Sequence, residues 1–204
     1  MIAGPTIFGA SAGLPRLRPA EPETDAARNG IILPMTTISL LTFLRSGVFG
    51  PVAPQGTITP EVVFAALGVA DEVYNPSDLD RPYRRDDPCC FPLIASYGDI
   101  EFHFASATEL ATLFVDSFSG PDGAPDGGAL RLVDTGLLRG GMTLAAFLEA
   151  APRQGVEIQG VRPYAPPYSF VAATAGGVEV GFEHEDPDAP DSQARLAWFC
   201  RVPI

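Results

Sequence analysis

Asp99, Glu101 and His103 alternate along one short apolar segment of the sequence. In a β-strand, residues two and four positions apart share a face, so these side chains would lie on one side and the apolar residues between them on the other. Two carboxylates and an imidazole could bind a divalent metal or share a proton. The alternative is a solvent-facing strand, because an antiparallel sheet with one wet face requires the same alternation.

The second histidine, His184, lies in an acidic segment over residues 183–191. Five of its nine residues are acidic: Glu183, Glu185, Asp186, Asp188 and Asp191. The segment lacks the glycine and terminal glutamate of a calcium-binding loop. We interpret it as a solvated hairpin loop, whose charge would give a basic partner faster association and specificity.

Motifs for covalent or phosphate chemistry are absent from the sequence. There is no Gly-x-Ser-x-Gly elbow, and the glycine-rich stretches at 120–123 and 139–142 lack the Lys and Ser/Thr of a phosphate loop. Cys89 and Cys90 precede Phe91-Pro92 without a family signature, so inert thiols are expected. We therefore expect no catalytic residue, no metal and no cofactor.

The charge of the chain is strongly negative. Asp and Glu number 25 against 13 basic residues, all of them Arg, for a net charge of −12. Binding to a nucleic acid backbone requires clustered positive charge, so a nucleic acid partner is excluded. Residues 35–118 carry eleven acidic residues against four Arg, which places the acidity on the folded part of the chain. This distribution indicates a surface presented to a basic protein.

The cellular setting is predicted from the cysteines and the N-terminus. Three cysteines are too few for a disulfide framework, so we expect a reduced, cytoplasmic chain. No apolar run of about 20 residues is present to span a membrane. Residues 1–34 show neither helical nor strand periodicity and lack the charged start of a signal peptide, so they are predicted to be a flexible extension.

The pattern of residues 35–119 predicts a first folded unit. Apolar spacing predicts a short helix over 38–45, ended by Gly47, and a second helix with Thr59 as N-cap and Pro60 at its first position, ended by Gly68. Apolar alternation then predicts a three-stranded antiparallel meander at 93–97, 100–104 and 110–118.

A Gly/Pro/Asp-rich linker at 120–133 separates this unit from a second, residues 134–204. A helix opening at 142–143 is followed by predicted strands at 168–173, 178–182 and 195–202. The hairpin at 97–104 matches the hairpin at 175–182 position for position. We therefore predict an α+β fold of two similar helix-then-antiparallel-meander units, with the sheet covered on one face by short helices.

Aromatic residues are concentrated near the end of the chain, at Tyr164, Tyr168, Phe170, Trp198 and Phe199. Tyr and Trp are favoured in interface hot spots, although strand alternation would place about half of such a set in the core. The side chains predicted to bind a partner are Glu101, His103, Tyr168, Glu183, Glu185, Asp186, Asp188 and Trp198.

Two segments carry a resemblance to known proteins. The first begins at residues 56–63 (GTITPEVV) and continues to Leu67-Gly68, and the second is the hairpin strand over 100–104. Their arrangement resembles the tandem helix-helix-sheet units of beta-lactamase inhibitory protein, the BamE/SmpA-type lipoproteins and small bacterial immunity-type proteins. The lipobox cysteine of the lipoproteins and the paired cysteines of the inhibitor are lacking here. The resemblance therefore implies an architecture rather than a specific activity.

Two functions are compatible with these observations. The first is an acidic immunity or inhibitor-type module that binds and neutralises a basic toxin or enzyme, without nucleic acid or membrane. The second is a metal-assisted hydrolase or small-ligand-binding protein that uses the strand face of Asp99, Glu101 and His103. The absence of a catalytic motif and the acidic charge favour the first.

Overall fold

The structure is a computed structural model that describes most of the chain beyond its first 34 residues. The described residues are 35–52, 57–84, 87–165, 169–184, 186, 188 and 190–202. The predicted N-terminal extension, residues 1–34, lies outside this part of the chain. The predicted binding residues Tyr168 and Glu185 also lie outside it.

The described residues form three α-helices and ten β-strands. The helices are α1 (Leu40–Ser46), α2 (Pro60–Leu67) and α3 (Leu144–Arg153). The strands are β1 (Thr37–Ser39), β2 (Glu72–Tyr74), β3 (Leu93–Tyr97), β4 (Ile100–Ser106), β5 (Glu109–Val115), β6 (Arg131–Val133), β7 (Ile158–Ala165), β8 (Ser169–Thr174), β9 (Glu179–Glu183) and β10 (Arg195–Arg201). No helix in the described ranges is long and apolar enough to cross a bilayer.

Eight strands form one antiparallel sheet in the order β2-β3-β4-β5-β10-β9-β8-β7. The order consists of two four-stranded meanders, whose last strands, β5 and β10, pair with each other. The remaining strands, β1 and β6, form a separate parallel pair. The prediction of an α+β fold with an antiparallel sheet is confirmed.

Threonine side chains begin two of the helices. The Thr59 hydroxyl accepts a hydrogen bond from the Val62 N–H at 3.3 Å, and Thr143 accepts one from Ala146 at 3.2 Å. Pro60 holds the first position of α2, where a missing N–H costs nothing. The predicted helix starts at 59–60 and 142–143 are therefore confirmed.

The helices bury their apolar sides against one face of the sheet. Phe43 of α1 lies 6.2 Å from Phe199 of β10, and Phe147 of α3 lies 5.4 Å from Phe182 of β9, measured between ring centroids. All four rings are fully buried. These side chains belong to one continuous hydrophobic core.

Several strands were missed by the sequence analysis, and each meander has four strands rather than three. β7 is interrupted by Gly160 and Pro163 and is largely exposed, so its sequence shows no apolar alternation. β2 has only three residues, too few for a periodic pattern. Ile38, assigned to the first helix, lies in β1 and pairs with Leu132 of β6.

One extra residue interrupts each of the two central strands. Leu110 and Thr112 pair with successive residues of β4, which leaves Ala111 as a bulge. Ala197 is left out in the same way between Leu196 and Trp198 of β10. Without a bulge, residues two apart share a face. Here Leu196 joins the core while Trp198 turns to the opposite face.

The two faces of the sheet can be tested with a matched pair of phenylalanines. Phe102 is fully buried against Phe49 and Tyr97, whereas Phe114 on the next strand lies on the opposite face and is partly exposed. Phe102→Ala should lower the free energy of unfolding in urea by about 3–5 kcal/mol. Phe114→Ala should lower it by only about 1 kcal/mol. Equal losses would contradict the assignment of the faces.

Candidate functional site

The sheet face that the helices leave uncovered, called here the open face, is the candidate site. A single row of cross-strand partners crosses all eight strands on this face. In spatial order the row is Glu72, Ser96, Glu101, Phe114, Cys200, Glu179, Ala173 and Gly160. It places a carboxylate directly beside each member of the central Phe114–Cys200 pair, Glu101 beside Phe114 and Glu179 beside Cys200.

Glu101 and His103 form a close pair on this face, as the alternation of β4 predicts. The His103 Nε2 lies 2.7 Å from the Glu101 Oε2. The Tyr74 hydroxyl donates to the other Glu101 oxygen at 3.5 Å. The His103 side chain is 31% exposed and that of Glu101 26%, so both can be reached from solvent.

A row of aromatic rings extends from this pair towards the far edge of the sheet. Phe114 lies 5.9 Å from His103 and 6.3 Å from Trp198, whose ring is 5.5 Å from Tyr164. All four side chains are partly buried and none belongs to the main core. Of the predicted binding residues, Trp198 therefore lies on the same face as Glu101 and His103.

An ion pair closes the far end of this aromatic row. Arg162 Nη2 lies 2.9 Å from Glu179 Oε1, and its guanidinium carbon is 5.8 Å from the centre of the Tyr164 ring. The prediction missed Arg162 and Phe114 as members of the site. Because β7 shows no alternation, its sequence gave no signal for the face on which Arg162 lies.

Trp198 lies directly over Gly181 of the neighbouring strand. A Cβ at position 181 would lie 2.1 Å from Cε2 of the indole, well inside van der Waals contact. In the match between the hairpins at 97–104 and 175–182, Gly181 aligns with His103. The lack of a side chain at 181 is therefore what leaves space for the indole on this half of the face.

Asp99, the third member of the predicted carboxylate and imidazole cluster, serves a neighbouring loop. Its Oδ2 accepts hydrogen bonds from the backbone N–H groups of Ser119 and Asp126, at 2.7 and 2.8 Å. The Ser119 hydroxyl donates to Oδ1 at 2.8 Å. Asp99 thus anchors the Gly/Pro/Asp segment rather than completing a ligand set with Glu101 and His103. Within the described ranges, no group of three or more His, Cys, Asp or Glu residues could hold a metal ion.

Asp116 adds negative charge next to Glu101. Desolvation raises its pKa above the ordinary value of 3.8, and the carboxylates of Glu101 and Asp99 raise it further. Its backbone hydrogen bond and His103 act in the opposite direction. The Glu101 end of the open face therefore carries an excess of carboxylates.

Three described residues of the acidic segment, Glu183, Asp186 and Asp188, lie at or just after the end of β9. Glu183 is exposed and follows Glu179 and Gly181 in the alternation that faces the open side. Asp186 and Asp188 are exposed as well. His184 is stacked on Phe170, with ring centroids 6.0 Å apart, so it does not extend the acidic surface.

The cysteine thiols are free, and one of them lies in the row of the open face. Burial, together with the nearby Glu179 carboxylate, raises the pKa of Cys200 to about 12. Its thiol therefore stays protonated at neutral pH and is a poor nucleophile. Cys90 is buried and Cys89 is exposed.

Comparison with known proteins found no relative of this chain. No family model matches it, and neither a curated protein nor a solved structure is significantly similar to it. The resemblance to the inhibitor and lipoprotein architectures stays a prediction.

Gly181→Ala tests the position of Trp198. The added methyl group should displace the indole towards solvent and shift its fluorescence emission to longer wavelength. Trp198 is the only tryptophan of the chain, so it reports without interference. Gly160→Ala is the control, because a Cβ there would meet nothing within 4 Å. An unchanged spectrum for Gly181→Ala would contradict the packing described.

Asp116→Asn tests the charge at the Glu101 end. Because the pKa of Asp116 is raised in the folded state, the ionised carboxylate destabilises that state above this pKa. The destabilisation disappears below pH 3.8, where Asp116 is protonated in both the folded and the unfolded chain. The variant should therefore be more stable than the parent at pH 7, and the difference should fade at about pH 3.5 in urea titrations. Asp80→Asn, in an exposed turn outside the sheet, removes the same charge. An equal gain in that control would contradict both the desolvation of Asp116 and the effect of the neighbouring Glu101 carboxylate.

Proposed function

We propose that this chain is an acidic protein-binding module of the immunity or inhibitor type. Its open face docks on a basic toxin or enzyme and neutralises that partner by covering it. The acidic segment after β9 borders the same surface. In this proposal Glu101, His103, Trp198, Glu183, Asp186 and Asp188 act through contact with the partner, and the chain performs no chemistry of its own.

One observation carries the proposal: partly exposed aromatic rings line the sheet face that none of the described helices covers. The rings lie on three strands. Phe114 packs at a tilt against Trp198, and Trp198 packs edge to face against Tyr164. A rigid sheet holds them in place before binding, so little side-chain entropy would be lost on association. Tyr and Trp are also the residues that most often dominate binding energy in protein interfaces.

The charge around these rings favours a basic partner. Glu101, Glu179 and Glu183 all lie on the open face, and Arg162 is the single arginine described there in an ion pair. The net charge of −12 adds a long-range attraction for a positive surface. Charges at the rim would mainly increase the association rate, while the aromatic centre would slow dissociation.

We also propose that the two meanders are copies of one unit. Each follows a helix with a threonine N-cap, and each has an alanine bulge, Ala111 or Ala197, at the same place in its last strand. Glu101 and Glu179 stand at matching positions beside the central Phe114–Cys200 pair. These matches support a duplicated unit whose two sheets joined edge to edge.

The alternative, metal-assisted hydrolysis or small-ligand binding at Asp99, Glu101 and His103, has less support. Asp99 is engaged by the backbone of the 119–126 loop. Glu101 and His103 alone would leave a metal with two protein ligands, below the three that catalytic zinc sites use. Protein binding is therefore the function that we favour.

A pull-down with tagged full-length chain tests the proposal in the organism that encodes it. We expect a basic protein to be retained by the parent chain and lost with Trp198→Ala, by a factor of about 30 or more for a hot-spot residue. Val69→Ala is the matched control, because Val69 is 86% exposed and lies outside the sheet. Circular dichroism should show all three chains equally folded.

The captured protein is then purified and its own activity or toxicity measured. Equimolar parent chain should inhibit it, and Trp198→Ala should not. A partner bound equally well by Trp198→Ala would contradict docking through the open face. A partner whose activity is unchanged by the parent chain would contradict neutralisation.

A further inference from the structure

Glu101 and Glu179 occupy matching places on the open face but have different neighbours. Glu179 forms an ion pair with Arg162 at 2.9 Å, and the guanidinium lies over Tyr164. Glu101 instead receives the Tyr74 hydroxyl at 3.5 Å and the His103 ring at 2.7 Å. One carboxylate is thus paired with an arginine, whereas the described part of the chain gives the other a tyrosine and a histidine.

The register of the strands explains this difference. Arg162 of β7 pairs with Val171, and Tyr74 of β2 pairs with Ile94. Ile94 in turn pairs with His103, two residues after Glu101. Val171 pairs with Gly181, two residues after Glu179. Tyr74 therefore holds the position that Arg162 holds in the other half of the sheet.

Among the described residues, the ion-pair partner of Glu101 is the titratable ring of His103 rather than an arginine. Among the described residues, no arginine forms an ion pair with Glu101 or with Asp116. Asp116 lies close enough for the Glu101 carboxylate to raise its pKa. This end of the face therefore offers carboxylate oxygens with negative charge to spare, beside the rings of His103 and Phe114.

We propose that the Glu101 end of the open face binds an arginine side chain of the protein partner. The partner would supply to Glu101 the guanidinium that Arg162 supplies to Glu179. This inference rests on the proposed function, because it names the chemical group by which a basic partner is recognised. Arginine is favoured over lysine, since its planar fork pairs with a carboxylate and stacks on aromatic rings.

The proposed arginine would lie within one interface footprint of the aromatic centre. Glu101 is on β4 and Trp198 on β10, two strands away in the sheet. At a strand spacing of about 4.8 Å the two positions are about 10 Å apart across the sheet. A partner would therefore present an arginine and an apolar side chain at this separation.

NMR titration of the isotope-labelled full chain with N-acetyl-argininamide tests the arginine site directly. Amide signals of β4 and β5 around Glu101 and Phe114 should shift and saturate. N-acetyl-citrullinamide, which has the same shape without the charge, should shift them little. N-acetyl-lysinamide should bind more weakly than the arginine compound. Equal shifts with the arginine and citrulline compounds would overturn the proposal.

Two variants locate the site on the sheet. Glu101→Gln should weaken binding of N-acetyl-argininamide by roughly tenfold or more, as expected for loss of a hydrogen bond to a charged group. Glu109→Gln removes the same charge at the exposed start of β5 and should leave binding unchanged. Tyr74→Arg should also abolish binding, because it would place an arginine of the chain itself against Glu101. Binding unaffected by Glu101→Gln would refute the site.

The failure of this site and the failure of the proposed function give different results in the pull-down. Loss of the partner with Trp198→Ala but not with Glu101→Gln would leave docking through the open face intact and overturn the arginine site. Retention of the partner by Trp198→Ala would overturn docking through that face. If both the docking through the open face and the arginine site are correct, the partner should be lost with Trp198→Ala and with Glu101→Gln. Tyr74→Arg should then capture it more weakly than the parent chain.

Discussion

The antiparallel pairing of β5 with β10 is the contact on which the rest of the sheet depends. Three residue pairs form it within the described residues: Val115 with Phe199, Phe114 with Cys200 and Leu113 with Arg201. Val115 and Phe199 are fully buried in the common core, while Phe114 and Cys200 face the other side. The junction therefore joins two four-stranded meanders into one sheet and makes their two open sides one continuous surface.

A bulge on each central strand decides which side chains that surface presents. Ala197 lets Leu196 enter the core while Trp198 lies on the open face, although two residues so spaced would otherwise share a side. The absence of a side chain at Gly181 provides the space for the indole. In the half formed by β2 to β5, the bulge at Ala111 leaves Thr112 paired with His103. The open face thus carries aromatic rings on both sides of the β5–β10 junction and a carboxylate on each side, Glu101 and Glu179.

Much of the local structure could be predicted from residue types. Thr59 with Pro60 marked the start of α2, and apolar alternation marked the hairpins of β3 with β4 and of β8 with β9. β7 could not be found in this way, because an exposed edge strand with Gly160 and Pro163 has no apolar face to alternate. Asp99 was misassigned because its alternation with Glu101 carried no information about the loop that its carboxylate anchors.

The sequence by itself determined the α+β class, the helix starts, the polar side of β4 and the acidic charge, since each depends on local spacing or on composition. The tertiary structure decided which distant residues share a surface. Glu101, Phe114 and Trp198 come together only through pairing between strands far apart in the chain. The neutralisation of Glu179 by Arg162 and the excess of negative charge at Glu101 follow from that register, which the spacing of residues along the chain does not encode.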